Sequence, residues 1–230
     1  MEAVKKHFED EAKEFDKIIL QLIPYYSEMI DGMVSSIPFE RSKIINVIDL
    51  GCGTGTVSKQ IKDSFPFATI TCLDLAENMI EMSKLKLADY SGIQYQVGDF
   101  RNYKFDDTYD VVVSSLALHH LVTDHDKIEF YQRIYDSLKS NGIFFNADVI
   151  LGSSEQLQDT YMKKWKSFMK RHVSEEEIED KWLPQYREED CPAKLMDQIS
   201  WLRDIGFTNI DVIWKYYNFA VYGGYRPEIA

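Results

Sequence analysis

Three glycines stand at alternate positions after an apolar run, in the stretch VIDLGCGTGT at residues 47–56. Glycine tolerates a positive φ angle and has no side chain, so this spacing predicts a sharp turn whose backbone lies very near another group. Thr56 occupies the place of the third glycine in the dinucleotide-binding pattern GxGxxG, and no GKS or GKT follows to make a P-loop. Asp49 beside the turn would also repel a pyrophosphate. The turn therefore predicts a ligand other than NAD or a nucleoside triphosphate.

Short apolar runs alternate with segments of helical periodicity on both sides of this turn. Strands separated by helices indicate βαβ units and a parallel sheet covered on both faces, so the predicted fold class is α/β. Two apolar segments near the end, NIDVIWKYY and NFAVYGGYR, predict an antiparallel strand pair. The other predicted strands are 44–50, 70–73, 93–97, 109–115 and 143–149. The predicted helices are 3–22, 26–34, 54–64, 76–88, 124–139 and 193–204.

The overall charge limits the classes of partner. The chain of 230 residues has a formal net charge of −12, which disfavours nucleic-acid binding through its overall field. The basic stretch KKWKSFMKR at 163–171 is either a cationic patch for an anionic substrate or a solvated helix face near the acidic stretch EEEIED at 175–180. The net charge therefore disfavours nucleic acid as a partner, but the basic stretch means that it does not exclude one.

Apolar runs and cysteines indicate the compartment. No stretch approaches the ~20 apolar residues that span a bilayer, and the first residues lack a signal-peptide core, so we expect a cytoplasmic protein that does not contact a membrane. The three cysteines are odd in number and form no CxxC pair, which argues against a disulfide framework and against a zinc site. We expect no metal.

Five stretches in order resemble the motifs of class I S-adenosylmethionine (SAM)-dependent methyltransferases. They are VIDLGCGTG at 47–55, CLDLAENMI at 72–80, VGDF at 97–100, VVVSSLALHHL at 111–121 and LKSNGIFF at 138–145. The resemblance implies a Rossmann-like sheet, mostly parallel, whose C-terminal strand is antiparallel. It also implies SAM as the cofactor and S-adenosylhomocysteine as the product.

The resemblance also implies which residues bind the cofactor. The glycine loop would carry the methionine part of SAM, Asp74 would bind both ribose hydroxyls, and Asp99 would take the adenine amino group. A carboxylate such as Asp74 can accept two hydrogen bonds from vicinal hydroxyls, which fits an adenosine and disfavours a phosphorylated ribose. The implied cofactor-binding residues of these motifs are Asp49, Gly51, Cys52, Gly53, Gly55, Asp74, Leu75, Met79, Asp99 and Phe100.

A narrower resemblance links three other stretches to the carboxy-SAM synthase of the tRNA wobble-uridine pathway. They are 23–30, 175–182 and 201–224. This resemblance adds Tyr26 and Ser115 to the implied cofactor contacts. It also implies an arginine that binds the added carboxylate of the cofactor. By spacing, Trp182 stands at the position of that arginine. Arg187 is nearby and could take the role of the missing arginine. The departure at Trp182 counts against carboxy-SAM chemistry.

Methyl transfer is an in-line displacement, so it requires alignment and needs a base only if the nucleophile carries a proton. His119 and His120 follow the fourth strand near the expected methyl position; either is a base or a histidine packed on its loop. Trp165, Phe168 and Trp182 either line a substrate pocket or form the core of their own segment.

We predict a single methyltransferase domain over 1–230. It comprises N-terminal helices at 1–40, a SAM-binding core at 41–151, a helical insertion or cap at 152–190, and a C-terminal helix and strand pair at 191–230. The insertion should fold over the carboxyl edge of the sheet, where open α/β folds bind ligands.

The predicted function is methyl transfer from SAM to a small-molecule acceptor. The alternatives are a carboxy-SAM synthase-like enzyme, a tRNA or protein methyltransferase, and a module that binds SAM without catalysis. The sequence identifies neither the acceptor nor the oligomeric state. A homodimer is one of the states that it leaves open.

Overall fold

A computed structural model describes residues 5–8, 12 and 14–228. Its centre is one seven-stranded sheet of order β3-β2-β1-β4-β5-β7-β6. Strand β7 runs antiparallel to β5 and β6, and all other neighbouring strands are parallel. This arrangement confirms the predicted α/β class and the reversed C-terminal strand. The strands are β1 Asn46–Leu50, β2 Thr69–Asp74, β3 Ile93–Val97, β4 Tyr109–Ser115, β5 Leu138–Val149, β6 Thr208–Tyr216 and β7 Phe219–Tyr225.

Helices connect the strands and cover both faces of the sheet. The helices are α1 Phe15–Leu22, α2 Tyr26–Ser35, α3 Thr56–Ser64, α4 Glu77–Lys86, α5 Asp124–Ser137, α6 Glu155–Met169, α7 Leu183–Glu189 and α8 Leu195–Ile205. Between α6 and α7 the chain forms one short α-helical turn at Glu175–Glu177 and a π-helical turn at Ile178–Trp182. Within the described ranges, no helix is long and apolar enough to cross a membrane.

Alternate side chains of the central strands supply two separate cores. In β4, Val111 and Val113 pack into the core on one face, whereas Val112 packs into the core on the other. The same alternation separates Val47 from Ile48 in β1. Successive side chains of a strand point to opposite faces, so these continuous apolar runs fit strands that are buried on both sides.

The N-terminal helix predicted at 3–22 is not continuous. Residues 5–8 are helical, Ala12 and Glu14 lie in turns, and α1 begins at Phe15. Residues 1–4, 9–11 and 13 lie outside the described part of the chain, so the prediction is wrong only in its continuity around Ala12. Apolar periodicity alone does not show such a break, because the spacing of buried residues continues across it.

The fifth strand begins earlier than predicted. Leu138 already pairs with Tyr109, and the register then shifts before Ile143 pairs with Val111. Asn141 within this segment has φ +60°, a conformation that asparagine tolerates better than most residues. The strand therefore includes residues 138–142, which lie between the bulk of the helix predicted at 124–139 and the strand predicted at 143–149.

The carboxyl ends of the parallel strands meet at one edge of the sheet. The glycine loop follows β1, Asp74 ends β2 and Ser115 ends β4. At the same edge α6 packs against α1, and the Trp165 indole Nε1 donates a hydrogen bond of 2.7 Å to the Leu22 carbonyl. The N-terminal segment and α6 are thus joined beside the glycine loop.

Candidate active site

The glycine loop adopts left-handed backbone at all three glycines. Gly51, Gly53 and Gly55 have φ angles of +71°, +52° and +84°. The amides of Gly51 and Cys52 donate to the Leu73 carbonyl at 2.8 and 3.0 Å, which ties the loop to β2. A Cβ atom on Gly51 would lie 2.4 Å from the Ala117 Cβ. The loop is therefore held between β2 and the segment after β4, so that only glycine fits at Gly51.

Gly51→Ala should lower the free energy of unfolding by about 2–4 kcal/mol, because overpacking adds to left-handed strain. Gly53→Ala is the matched control: its Cβ would meet only the Phe15 ring, at 3.8 Å, so about 1 kcal/mol of strain is expected. Urea denaturation followed by circular dichroism measures both. Equal losses in the two variants would contradict the close approach of Ala117.

Asp74 fastens the loop from the end of β2. Its Oδ2 accepts a hydrogen bond of 2.8 Å from the Gly53 amide, and its Oδ1 accepts one of 2.9 Å from the Ala76 amide. Carboxylate oxygens are acceptors of the kind that a ligand hydroxyl group needs. Asp74 therefore both shapes the loop and presents acceptors beside it.

A cleft lies along this loop, and we refer to it as the glycine-loop cleft. It brings together ten of the residues singled out from the sequence: Tyr26, Gly51, Cys52, Gly53, Asp74, Leu75, Met79, Phe100, Ser115 and His120. The residues that sequence reasoning did not assign to it are Phe8, Phe15, Thr54, Thr56, Val57, Leu116 and Ala117. Thr54 and Thr56 adjoin the glycines, which is a signal that could have been used, whereas nothing local marks Phe8 or Phe15.

Asp49 lies behind the cleft and not in its lining. The side chain is fully buried, and its Oδ2 accepts a hydrogen bond of 2.7 Å from the Ser58 hydroxyl. Its Oδ1 has no hydrogen-bond partner among the described residues. Burial raises the pKa of Asp49 to about 7, although the Ser58 bond opposes this shift. A cationic ligand in the cleft would favour the ionised form of this carboxyl group.

Asp99 also lies outside the lining of the cleft. Its carboxylate accepts hydrogen bonds from Arg101 Nε at 2.9 Å and Nη2 at 2.6 Å. Burial alone would raise the pKa of Asp99, but Arg101 outweighs it and holds the pKa below its usual value. Phe100 lines the cleft, and its ring packs 5.3 Å from that of Phe130. The structure thus places Phe100 in the lining of the cleft but pairs the carboxylate of Asp99 with the guanidinium of Arg101.

His119 is buried between two carboxylates. Its Nδ1 lies 2.5 Å from Asp148 Oδ1, and its Nε2 lies 3.4 Å from Asp190 Oδ1. Burial alone would lower the pKa of His119, but the charges of Asp190 and Asp148 outweigh burial and raise it to about 10. The side chain is therefore an imidazolium whose two nitrogens both face anions.

His120 is adjacent in sequence but lies in a different environment. Its Nδ1 is 3.1 Å from the Glu189 carbonyl oxygen, and its buried Nε2 has no partner among the residues described. Burial, followed by the charge of His119, lowers the pKa of His120 to about 4. One histidine of the pair is thus a cation, and its neighbour is neutral.

A second cavity adjoins the glycine-loop cleft, and we refer to it as the aromatic cavity. It shares Phe8, Phe15, Leu116 and His120 with the cleft, so the two spaces meet at these side chains. The rest of its lining consists of His7, Ile18, Ile19, Leu22, Ile23, His119, Val149, Trp165, Met169, Trp182, Gln185, Tyr186, Glu189, Asp190 and Phe219.

The aromatic residues of 152–190 separate into two groups. Trp165 and Trp182 line the aromatic cavity, and Trp165 also packs edge-on against Tyr186 and Phe219. Phe168 lines neither space; its ring packs against His172 at 5.0 Å. Trp165 therefore contributes both to the wall of the cavity and to the packing of its own segment.

The basic residues of the same segment lie outside both spaces. Lys166 pairs with Glu179 at 2.8 Å and Lys170 pairs with Glu175 at 2.6 Å, so acids of 175–180 neutralise two of the basic residues. Arg187 is exposed and lines neither the cleft nor the cavity. Among the described lining residues there is no lysine or arginine.

His119, His120 and Asp190 each offer an atom that could bind a metal, and these atoms lie within 4.8 Å of one another. In this arrangement both nitrogens of His119 already face carboxylates. Ion pairing therefore satisfies His119 and Asp190 without an added cation, whereas the Nε2 atom of His120 has no partner among the described residues.

Residues 47–142 match the protein family described as a methyltransferase domain. The match covers the glycine loop, Asp74 and the histidine pair, and it confirms the predicted class of enzyme, a methyltransferase. The predicted likeness to class I methyltransferases is confirmed as well.

Relatives extend the likeness beyond this domain. A carboxy-S-adenosyl-L-methionine synthase of Nautilia profundicola is 25% identical over 228 residues, covering 97% of this chain and 96% of the relative. A malonyl-[acyl-carrier protein] O-methyltransferase of Bacillus anthracis is 27% identical over 142 residues, covering 61% of this chain and 50% of the relative. The crystal structure of the N-methyltransferase NodS from Bradyrhizobium japonicum, in complex with S-adenosyl-L-homocysteine, has a TM-score of 0.68 at 13% identity, covering 97% of this chain and 98% of that one.

Proposed function

We propose that this enzyme transfers the methyl group of SAM to a small-molecule acceptor bound in the aromatic cavity. The observation that carries the proposal is the junction of the two spaces, where Phe8, Phe15, Leu116 and His120 line both. A methyl group at the end of the glycine-loop cleft would face an acceptor across this junction. Catalysis of an in-line displacement rests on such alignment in a site that excludes water.

The cleft fits the chemistry of SAM. Asp74 presents carboxylate oxygens, which are suitable acceptors for ribose hydroxyls, and Phe100 offers an apolar surface for adenine. Asp49 behind the loop has an unpartnered oxygen, so a sulfonium and an ammonium group nearby would favour its ionised form. Tyr26 and Ser115 also line the cleft.

Calorimetry with SAM, S-adenosylhomocysteine and NAD tests the cofactor, and transfer of radiolabelled methyl groups to a panel of small molecules tests the reaction. We expect both sulfur nucleosides to bind and NAD to bind more weakly. Tighter binding of NAD than of S-adenosylhomocysteine would overturn the proposal.

Carboxy-SAM synthesis is a second candidate, because the likeness to such a synthase extends over 97% of this chain. An enzyme of that kind needs a cation for the added carboxylate, and the described linings of the cleft and the cavity contain no lysine or arginine. Trp182 donates its indole hydrogen to Glu177 at 3.0 Å, so it already has an anionic partner. These contacts favour plain SAM over the carboxylated cofactor.

Trp182→Arg should shift cofactor preference toward carboxy-SAM, because guanidinium can pair with a carboxylate and an indole cannot. In the wild type, plain SAM should bind at least as tightly as carboxy-SAM. Dissociation constants of both cofactors for both proteins measure the shift, with Phe168→Arg as a control that places an arginine outside the cavity. A wild-type preference for carboxy-SAM would make the second candidate the function.

A further inference from the structure

We propose that the acceptor is an uncharged aromatic molecule with a phenolic hydroxyl group, and that His120 Nε2 takes the proton of this hydroxyl as the methyl group arrives. The inference rests on the proposed methyl transfer and adds the substrate class and the base. Three features of the aromatic cavity support it, namely its charge, its aromatic wall and the hydrogen bonding of its two histidines.

The charges of the cavity disfavour an anionic acceptor. Its carboxylates are Glu189 and Asp190, and each pairs with a histidine: Glu189 lies 2.9 Å from His7 Nδ1, and Asp190 lies 3.4 Å from His119 Nε2. A carboxylate or phosphate acceptor would add a buried negative charge beside them, with no lysine or arginine in the described lining to offset it. Burial of an uncompensated charge is costly, so an uncharged acceptor is favoured.

The wall of the cavity favours an aromatic ring. Trp165 meets Tyr186 and Phe219 edge-on, with ring centroids 5.1 and 5.5 Å apart. Phe8 extends the aromatic lining to the junction, where its ring lies edge-on to His120 at 5.9 Å. A flat ring inserted among these side chains would gain edge-to-face and offset-stacked contacts in addition to its burial.

Hydrogen bonding distinguishes the two histidines. A carbonyl oxygen only accepts, so the contact of His120 Nδ1 with Glu189 places the proton on Nδ1 and leaves the lone pair on Nε2. His119 has no such free lone pair, because Asp148 and Asp190 face its two nitrogens. His120 lines both the glycine-loop cleft and the aromatic cavity, whereas His119 lines the aromatic cavity alone.

Burial and the neighbouring imidazolium of His119 keep His120 neutral, against the opposite effect of Asp190 and Asp148. The groups that face it are His119, Asp190, Glu189, Asp148 and His7, and among them the imidazolium of His119 is 4.2 Å away between ring centroids. Burial and the charge of His119 lower the pKa of His120 to about 4. The ring therefore remains a proton acceptor through neutral and mildly acidic pH.

The balanced step forms an O–CH3 bond and breaks the S–CH3 bond of SAM. The electron pair of the broken bond stays on sulfur and yields S-adenosylhomocysteine, while the hydroxyl proton moves to His120 Nε2 and later to solvent. A neutral imidazole is a weak base, so it suits a hydroxyl of phenolic acidity better than an aliphatic alcohol. An amine attacks with its own lone pair and would not need this base before the transfer.

A matched set of naphthalene probes tests the acceptor class. In the presence of S-adenosylhomocysteine, 2-naphthol should bind at least about tenfold more tightly than 2-naphthoate, a difference of about 1.4 kcal/mol. With SAM, 2-naphthol should yield its methyl ether. Equal or tighter binding of 2-naphthoate, binding of neither probe, or methylation of 2-naphthylamine alone would overturn the inference. Failure of SAM itself to bind would instead overturn the proposed function.

His120→Asn tests the base, because asparagine can keep a hydrogen bond to the Glu189 carbonyl and offers no basic nitrogen. We expect kcat with 2-naphthol to fall by about 10²-fold or more, with the Kd of SAM unchanged. His125→Asn, at an exposed position, is the matched control and should retain full activity. An unchanged kcat in His120→Asn would overturn the role of His120. Loss of wild-type activity with EDTA and its recovery with zinc would overturn it as well, since a metal would then activate the hydroxyl.

Discussion

His119→Leu is expected to lower the free energy of unfolding by about 3–5 kcal/mol, since removing one partner of a buried ion pair leaves the other charge uncompensated. In the wild-type protein the imidazolium lies between Asp148 and Asp190, which lie 2.5 and 3.4 Å from its two nitrogens. Leucine fills similar volume but leaves both carboxylates without their cation. Urea denaturation followed by circular dichroism measures the change.

The pH dependence of stability provides a second measure of the ion pairing of His119 with Asp148 and Asp190. The pKa of His119 is about 10 in the folded protein and 6.5 ordinarily, so folding favours the protonated form. Its stabilisation is therefore fully present below pH 6.5 and is lost as the pH rises through 10. Wild-type stability should fall over this range, and the contribution of His119 to that slope should vanish in His119→Leu.

Two further variants control for the substitution itself. His125→Leu changes an exposed histidine and should alter stability by no more than about 0.5 kcal/mol. Asp148→Asn in the His119→Leu background removes one uncompensated charge and should recover part of the loss. A loss below about 1 kcal/mol in His119→Leu would mean that the pair is not charged as described.

Asp74→Ala should weaken the binding of SAM by about 1.5–3 kcal/mol, or roughly 10–150-fold in Kd, the scale of hydrogen bonds to a charged group. The substitution removes the acceptors proposed for the ribose hydroxyls. It also removes the anchor that Gly53 and Ala76 donate to at 2.8 and 2.9 Å, so part of the effect should come from a less ordered loop. Calorimetry gives Kd, and circular dichroism checks that the protein remains folded.

Asp99→Ala is the informative comparison for Asp74→Ala. The resemblance assigns Asp99 to the adenine amino group, but the structure pairs its carboxylate with Arg101 and places it outside the lining of the cleft. We expect a smaller loss of affinity than for Asp74→Ala. An unchanged Kd in Asp74→Ala would refute the ribose assignment, and a larger loss in Asp99→Ala would show that Arg101 releases Asp99 when the cofactor binds.

Features carried by contiguous residues were predictable from the sequence. The order of strands and helices follows from local periodicity, and the turn of the glycine loop follows from three residues that tolerate positive φ angles. Asp74 was predictable for the same reason, because the end of a parallel strand places it at the ligand-binding edge. These features depend on local sequence and not on contacts between distant segments.

Tertiary structure alone decided how the site is lined and charged. His119 and His120 are neighbours in the chain, yet one becomes a cation and the other stays neutral, because Asp148 and Asp190 arrive from β5 and from beyond α7. Phe8 reaches the junction only because the N-terminal segment packs beside the glycine loop. Local pattern specifies backbone conformation, whereas the pKa of a buried group and the shape of a cavity depend on long-range contacts that a pattern does not encode.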